Sequence, residues 1–519
     1  MPSMLDGFYE RSAQLTALLN NDPAEAVKQA REIHLDPDTR EYFNLMLLRA
    51  ATLVDGGALT EQADAIEEGV LLYRYLHSQF PTAAITYNLA NGLVAAAGRP
   101  PSDPTWLDHQ ECTRELRAEA RRCLWRVARD VDADSELRSR AWTNLANQFS
   151  DSYRFGEAHD AWLAALDIDP ENGVAASSAA RNLLWLHKRG GCSDITRIEA
   201  MMLAKIADRH RDRVVRYAGA QAAEQIAAFA EGLEDPEPRT PPADPFLRWV
   251  ERERLTLAPA VQLIDATLGK LDWLTLSGIL EQESGADGRP PPVFAMFNML
   301  KCDFILARDL LWRANDESVW PATGVFADTL DYATYGPDAS ALILAHRTAI
   351  DLLDKIAVTV NHYFALGLSP DRVYFGKLWR GRPDKSTGLC PLSERVEALI
   401  RGGASALYGL LELAEDYESS AGILRSQKKL RNAGTHRFVV LHDLGDPADS
   451  RQAPEIERHR RDQFIQEAVR ALRVARSAIQ MLALAVSQQE QALRQRETGY
   501  IGSLIVPDHD WVRGRKNEP

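Results

Sequence analysis

Cysteine is scarce in this chain, with five in 519 residues. Cys112, Cys123, Cys192, Cys302 and Cys390 are scattered, odd in number and form no Cys-x-x-Cys pair. They argue against a disulfide scaffold or a zinc site and for reduced thiols in a cytoplasm. The 12 histidines contain no His-x-x-x-His or His-Glu-x-x-His pair, so neither a metal nor another cofactor is expected. No apolar run is long enough to span a membrane, and Met1 to Asn20 lack the basic start and apolar core of a secretory signal. Basic charge is in deficit too: 60 Lys and Arg against 74 Asp and Glu give a net charge of −14. That argues against nucleic-acid binding spread over the whole surface. Strand-type alternation is almost absent. No helix-turn-helix with a basic recognition helix is visible, which counts against a transcription-linked scaffold.

What is present is ordinary for a globular protein of several domains: 45% hydrophobic and 26% charged residues. The segment from Trp142 to Pro170 stands out. Trp142, Leu145, Ala146, Phe149, Ala158, Trp162, Ala165 and Pro170 are spaced as a pair of packed helices requires. Ala146 and Ala158 leave room where the helices cross, the aromatics fill the groove, and Pro170 ends the second helix. Asn88-Leu89-Ala90-Asn91 echoes Asn144-Leu145-Ala146-Asn147, with Ala120, Leu124 and Val127 in the helix after it. Gly69, Tyr73, Leu76 and Pro81 suit an earlier unit. An insertion around residues 99–104 separates two of them. This array resembles the tetratricopeptide family over roughly residues 40–230, and the resemblance implies a helical solenoid with a partner-binding face. A repeat domain is therefore expected at 1–233.

Residues 234–245 are rich in proline and acid and mark a boundary. A second break is expected at 284–292. Beyond it lie long amphipathic stripes at 294–312, 341–364, 396–417 and 464–493, which predict an all-α bundle at 291–496. Residues 246–290 would connect the two regions, and 497–519 would form a tail.

Arg431, Asn432 and His436 lie together in Leu430-Arg431-Asn432-Ala433-Gly434-Thr435-His436-Arg437-Phe438. An imidazole can move protons while a guanidinium holds charge on phosphate oxygens, which together suffice for metal-independent RNA cleavage by the 2′-hydroxyl. Spacing alone does not select this pair. Arg154 and His159 share it, as do Arg437 and His442, and Arg181 and His187 come close. Arg154 and His159 straddle the turn of the best repeat. Arg181 and His187 would point about 240° apart on one helix. The 425–461 span carries nine Lys and Arg against five acids, and Lys428, Lys429 and Arg437 flank the motif. Either they hold an RNA backbone or they form a solvated basic edge.

Phe246-Leu247-Arg248-Trp249-Val250, Phe297-Asn298-Met299-Leu300-Lys301, Leu330-Asp331-Tyr332 and Leu353-Asp354-Lys355-Ile356-Ala357 occur in order. Phe375, Trp379 and then Arg431-Asn432-x-x-x-His436 follow. In this order the blocks resemble a bacterial HEPN ribonuclease family over roughly 245–495. The resemblance implies a helical bundle acting on RNA, with Arg431 as phosphate clamp, His436 as general acid and base, and Asn432 as an orienting group. It also implies a homodimer that brings two motifs together, gated by the repeats, in defence against phage or in growth arrest. The alternative is a non-enzymatic adaptor whose bundle only dimerises or binds RNA. Gly434 would mark a helix break or a close backbone approach. Asp354 and Lys355 are expected to form a buried or capping ion pair rather than to act in catalysis, and Trp379 to be core.

Overall fold

A computed structural model describes residues 4–98, 101, 105–188, 194–231, 241–259, 272–276, 278–280, 289–315, 320, 324–383 and 390–496. Most of the proline-rich stretch at 234–245, much of the break at 284–292, Cys192 and the tail at 497–519 lie outside these residues.

The fold is all-α. The first half consists of α1 (Met4–Asn21), α2 (Pro23–Arg31), α3 (Tyr42–Thr60), α4 (Ala63–Gln79), α5 (Ala83–Ala97), α6 (Trp106–Cys112), α7 (Arg114–Arg129), α8 (Ser135–Asp151), α9 (Phe155–Ile168), α10 (Gly173–Lys188), α11 (Asp194–Arg209), α12 (Arg211–Ala218) and α13 (Ala220–Ala230). Successive helices pack on one another as hairpins, α3 on α4, α5 on α7, α8 on α9, α10 on α11. Each hairpin leans on the next. In the 142–170 segment Leu145, Ala146, Phe149, Ala158, Trp162 and Ala165 are all buried, as their spacing requires. Trp142 is half-buried and meets Trp125 of α7 edge-on at 5.5 Å. Helix α9 ends two residues ahead of Pro170. The asparagine echo is physical: Asn144 donates to Asn91 Oδ1 at 2.9 Å across neighbouring hairpins.

The second half holds α14 (Pro245–Arg252), α15 (Pro292–Arg313), α16 (Pro337–Tyr363), α17 (Glu394–Arg401), α18 (Ala406–Glu418), α19 (Arg425–His436) and α20 (Arg461–Arg496). α15, α16 and α20 pack mutually, and α19 lies against α16 and α18. Almost no strand was expected, yet three short ones form a sheet in the order β1 (Ala333–Thr334), β2 (Phe438–His442), β3 (Ile456–Arg460). β1 is antiparallel and β3 parallel to β2, with Phe438 opposite Ile456. The reason lies in Phe438-Val439-Val440-Leu441, a β-branched apolar run too short to alternate over a strand-length window.

One continuous hydrophobic core runs through both halves, from Met46 to Val486. α20, 36 residues long, packs on α9 of the first half as well as on α16 and α18. Buried charge crosses the same seam. Glu412 of α18 ion-pairs with Arg117 at 2.6 Å and Arg121 at 3.0 Å, and Asp416 accepts from Arg154 at 2.5 Å. Burial alone would raise the Glu412 carboxyl, but Arg117, Arg121 and Arg154 hold it at about 2. Such ions desert water only when paired, so the seam is specific as well as apolar. Gly409 and Gly156 are needed there. A Cβ on Gly409 would sit 3.0 Å from the Ser152 carbonyl, and one on Gly156 3.1 Å from the Ser477 Cα. Arg401–Asp108 at 2.5 Å and Arg476–Asp160 at 2.7 Å extend the contact. The expected boundary at 234–245 therefore separates two stretches of sequence but not two independent cores.

Candidate active site

α19 carries the motif. Its buried residues Gln427, Leu430 and Ala433 recur every third position and turn one face inward. Gln427 is the polar anchor of that face. Its Oε1 meets His346 Nε2 of α16 at 2.8 Å, and its Nε2 donates to the Glu467 backbone oxygen of α20 at 3.2 Å. Burial lowers the His346 pKa to about 4, so this imidazole is neutral and structural. Helix α19 runs unbroken through Gly434. A Cβ there would come within 3.2 Å of Ile343 Cγ2, so close approach to α16, rather than a break, explains this glycine.

Arg431 is half-buried and held from two sides. Its Nε donates to Asp351 Oδ1 at 2.8 Å, and Nη2 lies 3.4 Å from Asp354 Oδ2. Asn432 Oδ1 is 3.5 Å from Nη1. Burial pulls the Arg431 pKa down, but Asp351, Tyr417 and Asp354 together raise it above its ordinary value. Asp354 is itself fixed, accepting the Phe375 amide at 2.9 Å. Lys355 turns the other way and pairs with Asp303 of α15. The expected buried or capping ion pair is not formed: the two residues pair with different helices and stay partly exposed, and Asp354 belongs to the motif's surroundings. Asp351, three residues earlier on α16, was not singled out from the sequence, although its one-turn spacing from Asp354 places it on the same face.

His436 ends α19 and is exposed. No described residue hydrogen-bonds its ring. Five positions after Arg431, it lies about 140° around the helix and about 7.5 Å further along. One helix thus presents a braced guanidinium and an open imidazole on different flanks. β2 starts two residues later with Phe438, which is 69% exposed.

The flanking cations divide. Lys428 pairs with Glu418, and Arg437 with Glu457. Lys429 is exposed, and no described residue pairs with it. The other motif copies are engaged elsewhere. Arg154 is fully buried among Glu157 and Asp416, and His159 contacts Glu199 at 3.1 Å. His442 is buried against Asp331 at 3.3 Å. Arg181 and His187 ride on α10. Trp379 is core, donating to the Phe375 carbonyl at 2.6 Å. No helix among the described residues is long and apolar enough to cross a membrane, and no cluster of three His, Cys, Asp or Glu there has metal-ligand geometry.

Compared with known families, residues 284–489 match the model described as LA2681-like HEPN. This span carries a HEPN-family domain, and it contains Arg431, Asn432, His436, Asp351 and Asp354. The expected resemblance began earlier, near 245, and the block at 246–257 lies outside the match. No curated protein matches the chain.

Proposed function

We propose that the protein is a metal-independent endoribonuclease whose HEPN-family domain cleaves RNA through Arg431 and His436. The observation that carries this reading is the contrast on α19 between a guanidinium braced by Asp351 and Asp354 and an exposed imidazole at the helix end. Both residues lie inside the matched span. In the proposed reaction the RNA 2′-hydroxyl loses its proton to imidazole and attacks the adjacent phosphorus. Arg431 offsets the charge that gathers on the phosphate oxygens, and an imidazole returns a proton to the departing 5′-oxygen. The products are a 2′,3′-cyclic phosphate and a 5′-hydroxyl. Asn432 keeps the Arg431 fork in plane, and Lys429 is free to meet a neighbouring phosphate.

Because His436 and Arg431 point to different flanks of one helix, a second copy completes the site in this reading. Exposed Phe438, Leu444 and Tyr332 on and beside the small sheet offer apolar area for such a dimer. The first-half helices act as the sensor or partner-binding part, in a defence or growth-arrest role. The test is incubation of the purified chain with RNA in EDTA, wild type beside His436→Ala, with end-group analysis and light scattering. Cleavage by wild type alone, with cyclic phosphate ends from a dimer, is the expected result. Equal cleavage by both proteins would remove His436 from the chemistry, and cleavage by neither would leave the adaptor reading in its place.

A further inference from the structure

A second basic site lies away from the motif, where the two halves meet. A groove of about 990 Å³ separates α7 from α20 and from the turn that enters α19. One wall carries Arg122, Arg126 and Arg129, the other Arg470, with Gly422 and Ser426 of the turn between them. Arg122 is half-buried and Arg126 exposed, and no described residue ion-pairs or hydrogen-bonds with either. His77 also lines the groove. Its Nε2 is sealed from solvent and has no hydrogen-bond partner. Burial, then the charge of Arg126, lowers the His77 pKa. Arg470 lies over Trp125 at 4.2 Å and Arg129 over it at 5.0 Å, so the floor is aromatic with two cations fixed on it.

The nearby acids are largely occupied. Glu119 pairs with Arg74 at 2.5 Å, and Glu467 accepts Gln427 at 2.5 Å. That leaves two uncommitted guanidinium groups beside a space of ligand size. Guanidinium groups match phosphate oxygens in charge and geometry. The carboxylates at the rim disfavour a continuous nucleic-acid backbone and favour a compact ligand that brings donors as well as acceptors.

We propose that this groove binds a small phosphorylated molecule of nucleotide size. Its position gives it leverage on the motif. The turn from Ser419 to Leu424 follows α18 closely, since a Cβ on Gly422 would sit 2.0 Å from the Asp416 carbonyl. Asp416 is held by Arg154 of the first half. A ligand spanning α7 and this turn bears directly on the start of α19, while His436 stands at its other end.

Titration calorimetry of the full-length chain with inorganic triphosphate, ATP and GTP tests the assignment without any reference to RNA cleavage. At least one probe should bind saturably. Arg122→Gln or Arg126→Gln should weaken it about tenfold, the loss of one charge-assisted hydrogen bond. Arg252→Gln, at an exposed arginine outside the groove, should leave it unchanged. Thermal unfolding of each variant confirms that it is folded. Absence of saturable binding, or wild-type affinity in both groove variants, overturns the proposal. So does displacement of the probe by a single-stranded DNA decamer that itself depends on Arg122 and Arg126, which would make the groove part of a nucleic-acid track. Since only binding is read, this result and the outcome of the EDTA assay stand apart.

Discussion

The same spacing of arginine and histidine occurs at 154/159 and at 431/436, in opposite surroundings. At the seam Arg154 is fully buried and meets Glu157 and Asp416 at 2.7 and 2.5 Å, while His159 is 2% exposed. At the motif Arg431 keeps about a quarter of its side chain in solvent, and its carboxylates stay partly exposed too. A guanidinium that has exchanged all its water for protein carboxylates can only hold the fold. One that keeps an open edge can take up a phosphate. Residual solvent access, more than residue identity, separates a fastener from a candidate reagent.

The sharpest way to test this contrast is to remove each copy. His436→Ala and Arg431→Ala should each slow RNA cleavage about 10²- to 10⁴-fold in single-turnover assays. His436→Ala should shift stability by no more than about 0.5 kcal/mol, because the side chain is exposed. Arg154→Ala should do the reverse, costing about 3–5 kcal/mol by leaving buried carboxylates uncompensated. Its folded fraction should still cleave. Urea unfolding beside activity per folded molecule decides, and the contrast fails if the two copies exchange phenotypes.

Acid should destabilise the fold in two stages, first within the second-half bundle and then at the seam. His346 has a folded value of about 4 against 6.5 unfolded, so the unfolded chain takes up its proton first and stability falls from about pH 6.5 to 4. Glu412, at about 2 against 4.5, contributes stability that is complete above 4.5 and lost as pH falls towards 2. His346→Gln should flatten the first stage in unfolding midpoints recorded against pH. Persistence of an unchanged first stage would assign it elsewhere.

Smaller effects should separate the motif's neighbours. Asp354→Asn should lower kcat more than it raises KM, because it loosens Arg431 without touching RNA. Lys429→Ala should raise KM a few-fold at low salt and leave kcat alone. Lys428→Ala should lose about 0–1 kcal/mol of stability, as expected for a partly exposed pair with Glu418. Equal KM effects for both lysines would remove the distinction drawn between them.

Helical stripes made the bundle and the hairpins readable from sequence, since one period of 3.6 residues governs each. The motif stood out through its residue types and the order of blocks around it, and of the two explanations for Gly434 the unbroken helix removes the break. The seam was not. α7 reads Arg-Glu-Leu-Arg-Ala-Glu-Ala-Arg-Arg, the composition of a solvated helix, yet Arg117 and Arg121 are buried. Their partner Glu412 lies 291 or more residues away, and no local period links such positions. His346 and Gln427 escaped likewise, because a buried polar bridge leaves no repeat in the chain. β2 was hidden by its brevity.

The trio of arginines around Glu412 also bears on inheritance. A bundle of this kind could not be recombined onto another set of helices by a simple exchange at the proline-rich stretch. The transplanted Glu412 would arrive without Arg117, Arg121 and Arg154, and the orphaned helices would carry three cations facing an apolar void. Descendants of this protein are therefore expected to keep or to lose all four residues as a set, and chimaeras should fold only when the exchange point moves to include them.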